Sequence, residues 1–554
     1  MFELWQASHA TREPVASGWV RHIALTMLCA SLALLLSCAT KPPASAFDRP
    51  VTHALPASEP TALAQALAPL EKAHSGQSGF RVLPSGTEAL QMRIALARAA
   101  TKTLDMQYYI ANEDTTGKLL LAAALYAADH GVRVRLLVDD LNFKDIDRVM
   151  AALNSHPSIE VRVFNPFGSA REGMFQRTEN VFTQLDHFTR RMHNKAMIVD
   201  NQAAIVGGRN LGDEYFSASQ TLQFRDLDVL AAGPIVHDIS ASFDIFWNND
   251  EAYPLRDLNK QHFAAKALDA MRDELRAHWR ANADPYQAKP LNATPLAAQI
   301  AQEQLGLTWA PAEFSVDSPR KIAAPTDDYT SPPMQRLAQL MKGAQHEFLI
   351  VSPYFVPHDA GVKALGALTQ RGVRVVVLTN SMAATDAIAV QAGYSPYRVP
   401  LLENGVELHE FKPMPGGPAP EVGGSRSRAS LHAKAYVIDR RTLVIGSMNI
   451  DPRSAHLNTE LALFIHSAPL AGEVARLIDR TILPSVSYGV RLATPAERAH
   501  LRSIGAPVSP LVWTSEEGTG SGTYMRTYTL DPEAGFYRNA LTGLFLLLPV
   551  DAQL

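Results

Sequence analysis

Beyond residue 38 this chain of 554 residues contains no cysteine; Cys29 and Cys38 are the only two. A body without thiols has neither disulfides nor a cysteine-based metal site. The chain also lacks an excess of charge, since 51 Lys and Arg against 55 Asp and Glu leave a net charge of -4. That balance counts against a dedicated nucleic-acid binder, which carries a basic face. Long apolar runs are scarce too: Ile23 to Leu36 is short for a helix crossing a bilayer, and Ala540 to Pro549 is shorter still. The apolar content is that of an ordinary globular protein, and the length suffices for two or three domains.

What the chain does have is one short pattern twice. His193-Asn194-Lys195 is followed by Asp200, and His432-Ala433-Lys434 by Asp439. Each copy continues through an apolar stretch to a small-residue turn and an asparagine, as IVGGRN ending at Asn210 and VIGSMN ending at Asn449. Histidine to asparagine is 17 positions in both copies. A single match arises by accident in a chain this long with odds of roughly a few per cent. Two copies with the same downstream spacing leave coincidence a poor account.

The unit reads as a hairpin. His193 and Lys195 are two apart, so on a strand they share a face. Ala196 to Val199 suits a buried strand, Asp200-Asn201 a turn, and Ala204 to Val206 a second strand. A turn centred on Asn201-Gln202 sets His193 across from Asn210 and Lys195 across from Gly208. The same register sets His432 across from Asn449 and Lys434 across from Ser447. An imidazole, an ammonium and an amide then converge beside a small residue that leaves room for a ligand. Asp200 and Asp439 fall on the turns, where support of the fold is expected rather than reaction. Downstream of each hairpin lies an acid suited to orient its histidine, Asp226 in the first copy and Glu460 in the second. A carboxylate on one ring nitrogen fixes the tautomer and stabilises the protonated ring.

The duplication extends upstream. Thr103 to Ile110 reads as a strand, Gly117 to Asp129 as a helix stopped at Gly131, and Val132 to Val138 as a buried strand. Phe348 to Val356, Gly361 to Gln370, Gly372 and Val373 to Leu378 repeat the order. The glycine-to-glycine offset of 241 nearly equals the histidine-to-histidine offset of 239. Two α/β domains with mixed, helix-covered sheets follow. Paired about a pseudo-two-fold axis, they bring both motif faces to one cleft.

The paired motifs resemble the HKD signature of the phospholipase D superfamily. RRMHNKAMIVDNQAAIVGGRNLGDEYF and ASLHAKAYVIDRRTLVIGSMNIDPRSAHLNTE are similar in particular to bacterial cardiolipin synthases of the C type. The resemblance runs from about Gly79 to about Tyr488 and includes TLDMQYYI near Tyr108, NPFG near Phe167 and NSMAATDAIAVQAGY ending at Tyr394. It implies two duplicated α/β/α sandwich domains with the active site at their interface. The motif residues His193, Lys195, Asp200, His432, Lys434 and Asp439 would form the catalytic set, without metal or other cofactor. Asn210, Asn449 and Ser447 join the two lysines in holding phosphoryl oxygens. Asp226 and Glu460 match the superfamily's supporting acids; Asp226 is favoured over Asp228, with a structural pairing there as the alternative. By resemblance His193 is the nucleophile and His432 the acid and base, although the pseudo-symmetry leaves the reverse assignment open.

The implied activity is transfer of a phosphatidyl group between phospholipids, with phosphatidylglycerol and, as a second candidate, phosphatidylethanolamine as substrates. The alternatives are hydrolysis to phosphatidic acid, a nucleic-acid phosphodiesterase, and a lipoprotein that binds lipid without turnover. Complete motifs in both halves argue against the last.

The termini give the location. Arg12, Arg21 and His22 precede the apolar run, which ends in Leu35-Leu36-Ser37-Cys38 and resembles a bacterial lipoprotein box. Residues 1–38 are then a signal peptide and Cys38 the lipidated anchor; an uncleaved anchor helix is the alternative. Both place the body outside the cytoplasm, at the inner or outer membrane of the envelope. Residue Ala39 is not the aspartate that would retain it at the inner one. Residues 39–75 read as a Pro/Ala-rich tether, 76–285 as the first domain, 286–330 as a connector with a helix within Ala297 to Leu307, and 331–490 as the second domain. Residues 491–554 form a tail, either a membrane contact or an element packed on the body.

Overall fold

The computed structural model describes residues 48–140, 147–166, 189–258, 265–286, 295–323, 329–413, 428–519 and 522–535. Cys38, the apolar leader and the 540–549 run lie outside the described residues.

Two large mixed sheets carry the fold. The first runs, in spatial order, Thr308–Ala310, Ser78–Leu83, Asp228–Ala232, Ala203–Gly207, Ala196–Val199, Thr103–Tyr108, Arg133–Asp139, Ile159–Phe164 and Ala252–Pro254. The second runs Ala312–Val316, Leu461–His466, Thr442–Gly446, Ala435–Ile438, Glu347–Val351, Arg374–Asn380, Glu407–Phe411, Ser487–Leu492, Leu511–Thr519 and Gly522–Tyr528. The two orders correspond strand by strand through the centre. In each, three parallel strands joined by helices sit beside the antiparallel motif hairpin.

The central strands are apolar on both faces because both faces are covered. Helices Gly86–Ala99, Thr115–Asp129 and Ala265–Asn282 pack on the outer side of the first sheet. Pro332–Gly343, His358–Gln370 and Arg398–Glu403 do so on the second. One continuous core fills the space between the sheets, joining Phe80, Ile198 and Val206 of one to Leu349, Val437 and Ile445 of the other through Phe243 of helix Ile235–Trp247 and Val474 of helix Ala468–Thr481.

The hairpin register differs by one residue from the sequence expectation. Ala196 pairs with Val206 and Val199 with Ala203, so the loop is 200–202 and centres on Asn201. Asp200 and Asn201 adopt left-handed backbone at φ 53, as do Asp439 and Arg440 at φ 51 and 50. The third residue earns its place through the aspartates. Asp200 accepts from the amides of Thr101, Lys102 and Thr103, and Asp439 from those of Gln345, His346 and Glu347. Each motif aspartate therefore ties its turn to the start of the neighbouring central strand, away from the histidines.

Two boundary expectations change, and the described part of the tail takes the packed form of its two alternatives. The expected connector is woven into both sheets: Thr308–Ala310 borders the first, Ala312–Val316 borders the second, and Pro311 alone separates them. Within it the helix is confined to Leu296–Ala301. The expected tether is docked from residue 48 onward. Thr52 and Ala54 bond to Asn248 and Asp244, Arg135 donates to the Thr52 carbonyl, and helix Ala62–Ala73, capped by Thr61, buries Leu63 and Leu67. The tail adds a hairpin to the second sheet, held by the Trp513 indole on Glu410 and by Arg398 on Asp531. Alternation in such edge elements is weak, and their composition hid them.

Asp228, directly after the candidate orienting acid, is fully buried and binds Arg93 (2.9 Å) and Arg209 (3.2 Å). Arg209 also donates to four backbone carbonyls around it. Removing the carboxylate charge strands two buried guanidinium groups. Asp228→Asn is expected to lower stability by about 3–5 kcal/mol, read by urea denaturation.

Candidate active site

The two domains exchange backbone bonds at the histidines. Strand Leu222–Arg225 of the first pairs in parallel with Arg428–Leu431 of the second, and the amides of His432 and Ala433 both donate to the Arg225 carbonyl (2.8 and 3.0 Å). On the other side of the pseudo-axis the His193 amide donates to the Thr459 carbonyl (3.0 Å), and the Thr459 amide to Arg191 (2.9 Å). Each histidine is thus threaded beside the segment that delivers the other repeat's acid.

The consequence is a crossing that the sequence did not suggest. His193 Nδ1 lies 3.0 and 3.1 Å from the two Glu460 oxygens, and His432 Nδ1 lies 2.6 Å from Asp226 Oδ2. The expectation that each acid serves its own repeat is therefore corrected. Sequence order misled because strand exchange, not proximity along the chain, decides the partner. Both Nδ1 atoms are occupied, which leaves Nε2 of each ring for chemistry.

Lys195 and Lys434 are buried beside the rings, each donating to the carbonyl of its own motif histidine (2.6 and 2.5 Å). The Tyr109 ring meets His193 edge-on at 5.1 Å and lies 5.3 Å from the Lys195 ammonium. Tyr354 stands 5.9 Å from the Lys434 ammonium, and its hydroxyl donates to Asp386 (2.7 Å). Tyr215 and Phe224 close around His432, with centroids at 5.3 and 4.8 Å. These aromatics were not singled out from the sequence. Alternation held the signal for one of them, because Tyr108 points into the core toward Arg93 and Tyr109 must then point the other way.

The small residues after each hairpin make the crossing possible. A Cβ on Gly208 would stand 2.1 Å from Asp226 Oδ1, and one on Gly207 would stand 2.2 Å from Asp228. At the position equivalent to Gly208, the Ser447 hydroxyl donates to Glu460 and accepts from the Leu461 amide at 3.1 Å. Ser447 is fully buried behind that carboxylate, so the expectation of a phosphate contact is corrected. Asn210 is also engaged: its oxygen accepts from the Ile110 amide and its nitrogen donates to the Tyr215 hydroxyl. The Asn449 amide oxygen is buried without a hydrogen-bond partner among the described residues.

Electrostatically the two halves differ. Burial works against the Asp226 carboxylate, but His432, Lys434 and Arg209 outweigh it and hold the group well below the usual range. At Glu460 burial wins over Lys195 and the serine hydroxyls, and its pKa is pushed up to about 7. Burial and the surrounding cations, Lys195 first, push His193 well below its ordinary value. His432 is lowered by burial and Lys434, against the opposing pull of Asp226. Burial likewise lowers both lysines, with Glu460 and Asp226 opposing. The site thus holds one imidazole biased strongly to the neutral form and another with an ionised partner able to stabilise its protonated form.

Comparison with known proteins gives the family. The family model described as cardiolipin synthase, PLD-like domain, matches residues 93–247 and 337–482. The chain is 40% identical over 427 residues to cardiolipin synthase C of Escherichia coli (strain K12), covering 76% of this chain and 88% of that protein. It is 25% identical over 438 residues to cardiolipin synthase A of Pseudomonas aeruginosa (strain UCBPP-PA14), covering 78% and 72%. The crystal structure of phosphatidylserine synthase from Haemophilus influenzae Rd KW20 superposes with a TM-score of 0.50 at 13% identity, covering 77% of this chain and 91% of that one, which shows a shared fold.

The crossing can be tested by titrating the imidazole resonances. Asp226→Asn removes the charge that holds the His432 pKa up, so His432 is expected to titrate at lower pH while His193 stays in place. A shift confined to His193 would mean that the acid serves its own repeat.

Proposed function

The chain belongs to the cardiolipin synthase family of phospholipase D-like proteins and is a phosphatidyltransferase; from that premise we propose that phosphatidylglycerol is its donor lipid and that His193 is its nucleophile. The acceptor is the hydroxyl of a second phospholipid, so that the product is cardiolipin. The observation that carries the residue assignment is the unequal pair of carboxylates. A nucleophile needs a free lone pair, which the bias of His193 toward the neutral form supplies, and Glu460 holds its Nδ1. An acid must deliver a proton and then take one up, which suits the ring beside ionised Asp226.

In the first step Nε2 of His193 forms a bond to phosphorus, the bond to the leaving glycerol oxygen breaks, and His432 gives that oxygen its Nε2 proton. In the second step the incoming hydroxyl gives its proton to His432, its oxygen bonds to phosphorus, and the P–N bond breaks. His193 returns to its starting state. Lys195 and Lys434 neutralise the non-bridging oxygens through both steps. Because this chain's own cations carry that neutralisation, activity is expected to survive chelators.

The body works at a bilayer surface in the bacterial envelope, on the periplasmic side, held there by a lipidated Cys38. The lipobox-like sequence supports the anchor, which would raise the effective concentration of acceptor lipid at the cleft. Among the described residues no helix is long and apolar enough to cross a membrane.

Incubation with labelled phosphatidylglycerol, alone and with phosphatidylethanolamine, tests the reading by its products. Cardiolipin is expected; phosphatidic acid as the main product would mean that water outcompetes the lipid hydroxyl, and no turnover would leave a binding protein. His193→Ala and His432→Ala should each reduce turnover by on the order of 10^3-fold or more. The phosphatidyl-enzyme should be trapped by acid quench of the parent protein during turnover and be absent from His193→Ala.

A further inference from the structure

The helices on the outer face of the first sheet leave a groove of about 880 Å³ between Gly86–Ala99, Thr115–Asp129 and Ala265–Asn282. It is remote from the imidazoles. Helix Thr115–Asp129 starts beside the site, where Asn112 bonds to Leu211, whereas the groove lies over its second half and its C-terminal end. Fifteen residues of helix put about 20 Å between the two ends.

Its lining is amphipathic in a particular way. The floor is apolar, with Ala122 and Leu275 flanked by Tyr126, which is 42% exposed, and by the partly buried Trp279. The rim carries Arg98, Arg276 and Arg280, all exposed, and His130. Asp129, the one acid in the lining, is already claimed by Arg272 at 2.9 Å, an ion pair that also holds its carboxyl below the usual range. Arg276 and Arg280 have no carboxylate within ion-pair distance among the described residues. In a chain of net charge -4 such a concentration of guanidinium groups over an aromatic and aliphatic floor is a local exception.

We propose that this groove is a second, non-catalytic lipid site, which seats one anionic phospholipid of the bilayer with its phosphate on Arg276 and Arg280 and its proximal acyl carbons against Tyr126 and Trp279. The argument is charge complementarity together with shape. Guanidinium groups match phosphate oxygens in bidentate fashion, and a Tyr-Trp pair beside them is suited to the level of the headgroups. The groove volume falls in the range of small-molecule sites. An uncharged lipid would leave the arginines unmatched, and a free anion would leave the apolar floor uncovered. Occupancy would hold the first domain against an anionic leaflet independently of the Cys38 anchor. The proposal rests on the phospholipid reading above only for the kind of amphiphile.

The test uses the full chain carrying His193→Ala, so that lipid is not converted, in nanodiscs of phosphatidylcholine doped with phosphatidylglycerol whose acyl chains are brominated. Tryptophan quenching is expected, with a component that disappears in Trp279→Phe. In Arg276→Gln/Arg280→Gln the lipid concentration giving half of that component should rise on the order of 10-fold, and Arg276→Lys/Arg280→Lys should recover part of it. An unchanged melting temperature guards against unfolding. Equal quenching of Trp279 by brominated phosphatidylcholine would reduce the groove to an apolar patch, and displacement by inorganic phosphate alone would make it a free-anion site; either overturns the proposal, as does no quenching at all. The readout needs no turnover, so its failure is distinct from failure to make cardiolipin in the parent protein.

Discussion

Two carboxylate–imidazole pairs cross the domain interface, and the rest of the molecule is arranged so that they can. Charged groups without water are costly unless each finds a partner in good geometry. Here two lysines, two histidines and two acids share one buried region, and neither domain contains a matched set by itself. His193 without Glu460, or His432 without Asp226, would be an imidazole buried among cations. The exchanged strands 222–225 and 428–431, the continuous apolar core between the sheets, and the glycine at 208 that admits Asp226 all serve this meeting. The pairing of the domains is thereby inseparable from the electrostatics of the site.

The symmetry is broken where chemistry needs unlike partners. One acid is an aspartate that accepts from no hydroxyl among the described residues and reaches its histidine in a single short bond past a glycine. The other is a longer glutamate wrapped by Ser447 and Ser454 and backed by Asp317, whose carboxylate receives the Glu460 amide and the Lys321 ammonium. A symmetric reaction centre would give both rings the same affinity for a proton. The glycine at 208 and the serine at 447 are small differences in sequence that give the two carboxylates unlike surroundings.

Much of this was legible in the chain. The doubled His-x-Lys motif, its constant spacing and the strand-helix-strand order on either side were enough to expect duplicated α/β domains and a shared cleft, because periodicity and repetition are local signals. The hairpin register slipped by one because the role of Asp200 in binding the amides of residues 101–103 depends on a strand that is distant in sequence. The partner of each acid could not be read for the same reason. Residues 48–75, 308–316 and 511–528 were read as tether, connector and tail, since edge strands and docked segments carry little alternation and owe their order to surfaces supplied by the rest of the fold. Asp317 and Lys321, which brace Glu460, lay within that supposed connector.

Pro311 has a mechanical meaning. One residue carries the chain from the edge of the first sheet to the edge of the second, and a link so short has no slack. To part like a clamshell the halves would have to break the exchanged strands 222–225 and 428–431 and split the core between the sheets, as well as turn at Pro311. An opening of that kind would carry the cost of lost strand pairing and exposed core, so small movements of side chains beside the lysines, such as Tyr109 and Tyr354, are the cheaper way to make room for a headgroup.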